Sequence, residues 1–366
     1  FGSSCISNSP VMNRQWIVLR QPEGAPVLGK DIELRETPIP EPKEGEFLVR
    51  VTSMSLDPYI RGTMNKVSYG RTQSFPRLMA CGAVGQIVKS KNPKYDVGTM
   101  VQGYFGWQEY CISPGGQGVK RLPPATAPGS RHSWYFGALG MPGATAYYGL
   151  LEICDPQPGE VVLVSSCTGA VGSLVGQIAK IKGCKTVGLT STSKLQLARD
   201  CGYDEVIDYT NKDVAALIKE IRQAAPQGVN CYFDNAGGPS TEAVLMCLAR
   251  FARISVCGQI AYYNLEDPLS ARACPATLLV AQASATLQGF IVTERPRARP
   301  GDWSAAQKDM GQWILEGKLK VVEDVSAGIE NAFDAFLTLF HGLGSSTNVG
   351  KKVVDLADPP LPMAKL

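Results

Sequence analysis

A short glycine turn in the middle of the chain constrains the fold more than any other feature of the sequence. Residues 161–164 form an apolar run, and residues 173–180 continue with the spacing of a helix. The turn between them contains Gly169, Ala170, Val171 and Gly172. This order is typical of a dinucleotide-binding unit, in which glycine admits a pyrophosphate and the helix N-terminus attracts its charge. Because Cys167 replaces the first glycine of G-x-G-x-x-G, the turn alone is a weak motif, and an ordinary strand-to-helix turn stays an alternative.

Strand-like runs alternate with helix-like segments over most of the chain after residue 133. The runs are residues 161–164, 186–189, 205–207, 229–233, 253–256 and 287–292. This alternation predicts an α/β fold with a doubly wound parallel sheet and helices on both faces.

Residues 15–119 have a different pattern, with short strand-like runs broken by Gly and Pro. The runs are residues 16–19, 46–51, 82–88 and 99–105. No helical period is sustained, so an antiparallel barrel or sandwich is predicted. A chain of 366 residues exceeds what one core usually organises, which favours two domains with a cleft between them. The runs 319–325, 331–340 and 351–354 are expected to return to the first domain.

The end of the second predicted strand bears on the choice of cofactor. An acidic residue there would bind both ribose hydroxyls of NAD and repel the 2′-phosphate of NADP. Residues 188–194 read GLTSTSK instead, with hydroxyls such as Ser191 and with Lys194 as a cation. The sequence therefore predicts NADPH/NADP+, with Lys194 on the phosphate. A solvated lysine in the first turn of a helix is the alternative.

Several function classes receive no support from the composition. Lys+Arg 36 nearly balances Asp+Glu 33 without a basic stripe, and no stretch approaches 18 apolar residues, so neither nucleic acid nor a membrane is an expected partner. The 11 cysteines form no C-x-x-C pair, which favours reduced thiols and a cytoplasmic location. His132 and His341 are too few for a catalytic zinc site, and no metal is expected. Residues 1–11 are small and polar and are left out of the fold argument.

Separated strings resemble the zinc-independent medium-chain dehydrogenase/reductase superfamily. Within it, they are most similar to the leukotriene B4 12-hydroxydehydrogenase/prostaglandin reductase group, which includes alkenal double-bond reductases. The strings are LDPYIR (56–61), GMPGATAY (140–147), the glycine turn, YFDNAGG (232–238), CGQIAYYN (257–264) and NVGK (348–351). The resemblance implies a Rossmann-type domain over residues 141–321 and a GroES-like β-rich barrel over residues 12–140, completed by residues 322–366.

The resemblance also implies a set of site residues. The catalytic pair would be Tyr59, facing the substrate, and Tyr263, near the nicotinamide ribose. Cofactor contacts would come from Thr145, Gly169, Ala170, Val171, Gly172, Ser191, Lys194, Tyr209, Asn235, Cys257, Gly258, Tyr263, Phe290 and Asn348. Of these, Lys194 and Tyr209 would hold the 2′-phosphate, and Asn348 would approach the nicotinamide. The alternative for both catalytic tyrosines is packing with the hydroxyl directed to solvent or backbone.

The implied reaction is reduction of the carbon–carbon double bond of an enal or enone, by hydride transfer from NADPH to the β-carbon. An NADP-dependent alcohol/carbonyl or quinone oxidoreductase, an enoyl reductase for carrier-bound chains and a non-catalytic NADPH-binding protein stay open. The proton donor is a tyrosine or water. The resemblance also implies a homodimer, formed by pairing of exposed edge strands of the doubly wound sheet. The substrate depends on loops at 64–76, 114–133 and 264–275, and residues 114–133 match no family segment.

Overall fold

The computed structural model describes residues 12–68, 71–124, 129–265, 276–294, 302–340 and 348–356. Some expectations fall outside these ranges, namely those for residues 1–11, 266–275 and 357–366 and for His341. Among the described helices, none combines the length and the apolar character that crossing a membrane requires.

Short strands build the N-terminal region, and two strands of the tail join them. The elements are β1 (Met12–Val18), β2 (Ile32–Pro38), β3 (Phe47–Ser55), α1 (Tyr59–Thr63), β4 (Val67–Ser68), β5 (Arg71–Thr72), β6 (Arg77–Leu78), β7 (Ala83–Ser90), β8 (Met100–Gly103), β9 (Tyr110–Ser113), β10 (Lys120–Arg121), β17 (Glu323–Ala327), α9 (Ala332–Leu337) and β18 (Lys351–Asp355). One sheet has the order β2-β1-β6, and a larger one has the order β10-β8-β7-β3-β18-β17, with β9 also paired to β3. The β4-β5 hairpin stands apart.

The tail packs into the core of this N-terminal region. Strand β18 runs antiparallel to β3, and β17 runs parallel to β18. Trp16 donates its indole N–H to the Ile329 carbonyl oxygen at 2.7 Å, and Phe336 packs edge-on against Trp107. Aromatic contacts of this kind hold chain segments together although they are far apart in sequence.

A parallel sheet forms the second part of the molecule. Its elements are α2 (Met141–Tyr148), β11 (Val161–Val164), α3 (Gly172–Ile181), β12 (Lys185–Thr190), α4 (Leu195–Asp200), β13 (Glu205–Asp208), α5 (Val214–Ala224), β14 (Val229–Asp234), α6 (Gly238–Leu245), β15 (Leu248–Val256), α7 (Ala276–Ala283), β16 (Thr286–Gly289) and α8 (Ser304–Leu315). The strand order is β13-β12-β11-β14-β15-β16, all parallel. This is the Rossmann-type order, so the predicted doubly wound fold is confirmed.

Local sequence explains both the strands and their limits. Strand β11 is buried on both faces, as expected of a central parallel strand covered by helices. Helix α5 begins where the Asp213 carboxylate accepts the Ala216 N–H at 2.7 Å, and it turns Leu217 and Ile221 inward. The last strand is shorter than the predicted run 287–292, because its partner β15 ends at Val256, which pairs with Gly289.

Candidate active site

The order of the parallel sheet places β11 beside β14, where the direction of winding reverses. Open α/β sheets bind ligands at the carboxyl ends of strands at such a point. Here the Asn235 side-chain amide donates to the Ser165 carbonyl oxygen at 2.8 Å, and the Ser165 hydroxyl donates to the Asp234 carboxylate at 3.0 Å. The buried Asp234 also accepts the Gly237 N–H and the Thr241 hydroxyl, which holds the loop after β14 in place. Asn235 therefore lies at the predicted edge of the sheet.

The glycine turn leads from β11 into α3. A Cβ atom added to Gly172 would lie 2.3 Å from the Ser166 carbonyl oxygen and 2.8 Å from the Cys167 Cα atom. Contacts of this length with backbone atoms leave room only for glycine. Gly169 is less confined, since its added Cβ would lie 3.3 Å from the nearest atom. Ala170 and Val171 follow, half-buried, at the start of the helix.

Cys167 departs from the usual glycine pattern, and the structure shows why the turn tolerates it. Its side chain is fully buried beneath the turn, where the Sγ atom approaches Gly188 of β12. Burial raises the pKa of the Cys167 thiol, so it stays protonated and behaves as a small apolar group. The substitution therefore leaves the ligand side of the turn open.

Lys194 and Ser191 lie just beyond β12 and are both largely buried. Burial lowers the pKa of Lys194 from its usual value, and the charge of Asp324 opposes that effect. Tyr209 lies at the end of the neighbouring strand, where its N–H donates to the Thr190 carbonyl oxygen at 3.0 Å. The structure thus brings Ser191, Lys194 and Tyr209 to the same edge of the sheet, and their contact with a phosphate stays a prediction.

Sequence reasoning missed an acidic residue at the end of the strand next to β12. Asp208 ends β13 and pairs in register with Thr190, so its carboxylate accepts the Thr192 hydroxyl at 2.5 Å and the Thr210 N–H at 2.8 Å. Burial alone would raise the pKa of Asp208, but these hydrogen bonds outweigh burial and lower it. The signal in the sequence was the acid that ends the third strand rather than the second.

The loop after β15 folds back over the sheet edge. Both the Cys257 and Gly258 N–H groups donate to the Asp234 carbonyl oxygen, at 2.9 and 3.1 Å. A Cβ atom on Gly258 would lie 2.9 Å from the Tyr263 hydroxyl oxygen, so this glycine makes room for the phenol. Burial, together with the charge of Asp234, raises the pKa of the Cys257 thiol to about 12, which keeps it protonated.

Thr145 and Phe290 make packing contacts inside the parallel-sheet region. The Thr145 hydroxyl donates to the Met141 carbonyl oxygen at 2.7 Å, one turn earlier in α2. Phe290 is half-buried and packs edge-on against Phe233, with ring centroids 6.4 Å apart. Both residues thus have packing roles within the domain, and their contact with a cofactor stays a prediction.

Tyr59 is the first residue of α1, and its half-buried side chain packs against the core of the N-terminal region. Burial raises the pKa of Tyr59 well above its usual value of 10.0, and the nearby charge of Asp57 adds to that effect. The hydroxyl therefore keeps its proton and can donate a hydrogen bond at every ordinary pH.

Arg61 of the same helix, for which the sequence implied no role, connects the segment of Tyr59 to the loop after β15. Arg61 as a whole residue is 3% exposed. It donates to Asn264 Oδ1 at 3.2 Å, to Asn65 Oδ1 at 2.8 Å and to the Gly24 carbonyl oxygen at 2.7 Å. Because Asn264 directly follows Tyr263, this contact joins the segment of Tyr263 to the segment of Tyr59.

The tail reaches the cofactor turn through Gly350. Its N–H donates to the Thr168 carbonyl oxygen at 2.8 Å, and Gly350 forms a parallel bridge with Gly169. Nearby, the buried Asn348 side-chain oxygen finds no hydrogen-bond partner within the described ranges. A buried polar atom without a partner costs free energy, so a ligand donor at this oxygen fits the site. The approach of Asn348 to a nicotinamide stays a prediction.

The sequence predicts no metal, and that remains a prediction. Over the described ranges, no group of three or more His, Cys, Asp or Glu side chains has the arrangement of a metal site. His132 lies 3.1 Å from the Pro123 carbonyl oxygen, at the protein surface.

Comparisons with known proteins cover nearly the whole chain. Residues 14–121 match the N-terminal domain of oxidoreductase, and residues 170–310 match the family described as zinc-binding dehydrogenase. The NADPH-dependent curcumin reductase of Escherichia coli (strain K12) is 38% identical over 350 residues, which cover 94% of this chain and 97% of that protein. Prostaglandin reductase 1 of Rattus norvegicus is 36% identical over 345 residues, covering 94% and 99%.

A plant relative and a solved structure extend the comparison. The NADP(+)-dependent 2-alkenal reductase of Nicotiana tabacum is 36% identical over 354 residues, covering 94% of this chain and 97% of that protein. The crystal structure of CurA in complex with NADPH from Vibrio vulnificus superimposes with a TM-score of 0.83 at 36% identity, covering 94% of this chain and 100% of that one.

Proposed function

This chain belongs to the zinc-independent group of the medium-chain dehydrogenase/reductase superfamily, and we propose that it reduces the carbon–carbon double bond of α,β-unsaturated aldehydes or ketones with NADPH. The observation that carries the proposal is the hydrogen bond from Arg61 to Asn264. It joins the segment of the protonated Tyr59 to the segment of Tyr263 at the carboxyl edge of the parallel sheet. Two phenol donors beside a dinucleotide site suit a reaction in which negative charge develops on a carbonyl oxygen.

The residues that would hold NADPH are distributed along the edge of the sheet. Gly169 and Gly172 would take the pyrophosphate at the start of α3, since glycine lets the backbone approach closely. Lys194 and Tyr209 would bind the 2′-phosphate, with Ser191 beside them. The loop residues Asn235, Cys257, Gly258 and Phe290, with Asn348 from the tail, would line the remainder. When bound, the cofactor supplies the hydride that the β-carbon of the substrate accepts.

The two tyrosines would stabilise the charge that hydride addition creates. As the β-carbon gains its new bond, the electrons of the double bond move toward the carbonyl and leave an enolate. A hydrogen bond from the Tyr263 or Tyr59 hydroxyl to this oxygen contributes about 3 kcal/mol when the donor is already oriented. The α-carbon then takes a proton from a tyrosine or from water, which completes the saturated product.

Oxidation of NADPH in the presence of a panel of enals, enones, quinones and simple ketones tests this function. We expect turnover with enals and enones, a saturated carbonyl product, and slower turnover of Tyr59→Phe and Tyr263→Phe. An allylic alcohol as the main product would favour a carbonyl reductase instead. Binding of NADPH without turnover of any enal or enone would refute the proposal.

We also propose that the protein is a homodimer formed through β16. All four residues of this strand are exposed, and on its outer side no further strand is paired among the described residues. Leu287 and Ile291 keep 46% and 44% of their surface exposed, and Leu278 on α7 keeps 55%. An unpaired apolar edge favours pairing with an identical copy across a twofold axis. Light scattering of the wild type should give twice the chain mass, and Leu287→Lys should give the mass of a monomer. A monomeric wild type at micromolar concentration would contradict this.

We further propose a cytoplasmic location. The cysteines of the described residues are free thiols, and most of them are buried. Reduced, buried cysteines without pairing are typical of proteins from a reducing compartment. Cell fractionation with antibody detection tests this, and recovery only in an oxidising compartment would refute it.

A further inference from the structure

A buried ion pair lies directly beneath the segment that carries Tyr59. The Lys351 ammonium donates to Asp57 Oδ1 at 2.9 Å and to the Leu56 carbonyl oxygen at 2.6 Å. The side chains of Lys351 and Asp57 are only 3% and 6% exposed. The other oxygen of Asp57 accepts the Ser55 hydroxyl at 2.5 Å. Asp57 is therefore held from both sides, two residues before Tyr59.

The backbone next to Lys351 is attached to the cofactor turn. Gly350 donates its N–H to the Thr168 carbonyl oxygen at 2.8 Å and forms a bridge with Gly169. Gly350 has φ +63, and an added Cβ atom would lie 2.3 Å from the Val322 carbonyl oxygen, so this approach depends on glycine. Two consecutive residues of the tail thus contact the cofactor turn and the Tyr59 segment, respectively.

The pair also matters to the charge around Tyr59. Asp57 is one of the groups that raise the pKa of the Tyr59 phenol. The ammonium of Lys351 lies 2.9 Å from this carboxylate and balances its charge, and without the ammonium an unpaired carboxylate would lie in the same buried region. Loss of Lys351 would therefore disturb both the backbone before Tyr59 and the charge near its hydroxyl.

We propose that Lys351 is a positioning residue: by holding Asp57 and the Leu56 carbonyl, it fixes the Tyr59 hydroxyl relative to the cofactor turn that Gly350 contacts. This inference rests on the proposed function, because it assigns Lys351 an effect that acts through Tyr59. It extends that function to a residue that touches neither the substrate nor the cofactor.

The test compares Lys351→Met in two backgrounds, the wild type and Tyr59→Phe. If Lys351 acts through the Tyr59 hydroxyl, Lys351→Met lowers kcat about tenfold or more in the wild type. In the Tyr59→Phe background the same substitution lowers kcat less than about twofold, because the effects of two mutations do not add when their residues act as a unit. The Kd for NADPH, from quenching of protein fluorescence, should change less than about threefold. Lys351→Met leaves the buried carboxylate of Asp57 without its partner, which destabilises the fold. The double variant Asp57→Asn/Lys351→Met removes both charges and avoids this destabilisation, so its kcat is also measured with and without Tyr59→Phe.

Lys352→Met supplies a matched control. Lys352 is the next residue of β18, is buried to a similar degree, and pairs with Asp324 at 2.9 Å. If Lys352→Met lowers kcat, it should do so by the same factor in the wild type and in Tyr59→Phe.

The possible results separate the two claims. Equal factors for Lys351→Met in both backgrounds would overturn the positioning role while leaving the function of Tyr59 intact. If Tyr59→Phe alone leaves kcat unchanged, the proposed catalytic role of Tyr59 fails, and the positioning role fails with it. A loss confined to the background that retains the Tyr59 hydroxyl supports both.

Discussion

Replacing Lys194 with alanine is expected to reduce the preference for NADPH over NADH. Lys194 is 9% exposed, so its ammonium would meet the 2′-phosphate with little competition from water. A hydrogen bond to a charged group contributes about 1.5–3 kcal/mol, which corresponds to about 10- to 150-fold in Kd. The charge of Asp324 acts on Lys194, but Asp324 is itself paired with Lys352 at 2.9 Å, so it adds little repulsion once Lys194 is gone. We therefore expect a loss of NADPH affinity within that range.

Titration of NADPH and NADH into the wild type and Lys194→Ala, followed by nucleotide fluorescence, measures both Kd values. The Kd for NADH should stay within about twofold, because NADH has no 2′-phosphate. Lys180→Ala is the matched control, since Lys180 lies in the same domain and is paired with Asp204 at 2.7 Å. An unchanged Kd for NADPH, or equal weakening for both nucleotides, would refute the phosphate-pocket argument.

Three further predictions concern the turn, the contact between the two segments and the pH profile. Gly172→Ala should weaken NADPH binding at least about tenfold, because its added Cβ atom would lie 2.3 Å from the nearest backbone oxygen. Gly169→Ala should weaken binding less, because the corresponding distance is 3.3 Å. Equal Kd values for NADPH in the two variants would contradict this. Arg61→Lys should lower kcat/KM about 10- to 100-fold, because a lysine cannot form the three hydrogen bonds that the guanidinium donates. Asn264→Ala should also lower kcat/KM. Unchanged steady-state kinetics in both variants would show that the contact between Arg61 and Asn264 does not position the site. Burial raises the pKa of Tyr59 well above 10.0, so its hydroxyl stays protonated, and the kcat ratio of wild type to Tyr59→Phe should stay constant up to pH 10.0. A fall of this ratio to about half by pH 10.0 would show a phenol with an ordinary pKa.

Local patterns sufficed to predict the parallel sheet. Alternating runs with buried strands lead to the observed order, because connections between parallel strands are right-handed and short. The residue at which the last strand ends could not be predicted in this way. It depends on the length of the partner strand β15, which the sequence around Gly289 does not indicate. The five-residue helix α1 was missed for a related reason, since a single turn and a half carries no measurable periodicity.

Site residues could be proposed from the sequence where motifs are short and continuous, as for Gly172 and Lys194. Contacts between groups that are far apart in the chain could not be predicted in this way. Lys351 and Asp57 are 294 positions apart, and Arg61 and Asn264 are 203 apart. Asp208 shows a further limit, because its contact with Thr192 depends on the register between two neighbouring strands.

The position of the transferred hydrogen tests the proposed reaction most directly. Reduction of an enone with NADPH that carries deuterium at the reactive C4 position, followed by NMR of the product, shows which carbon received it. Deuterium at the β-carbon of a saturated ketone is the predicted result. Deuterium on the carbonyl carbon of an allylic alcohol would contradict the account.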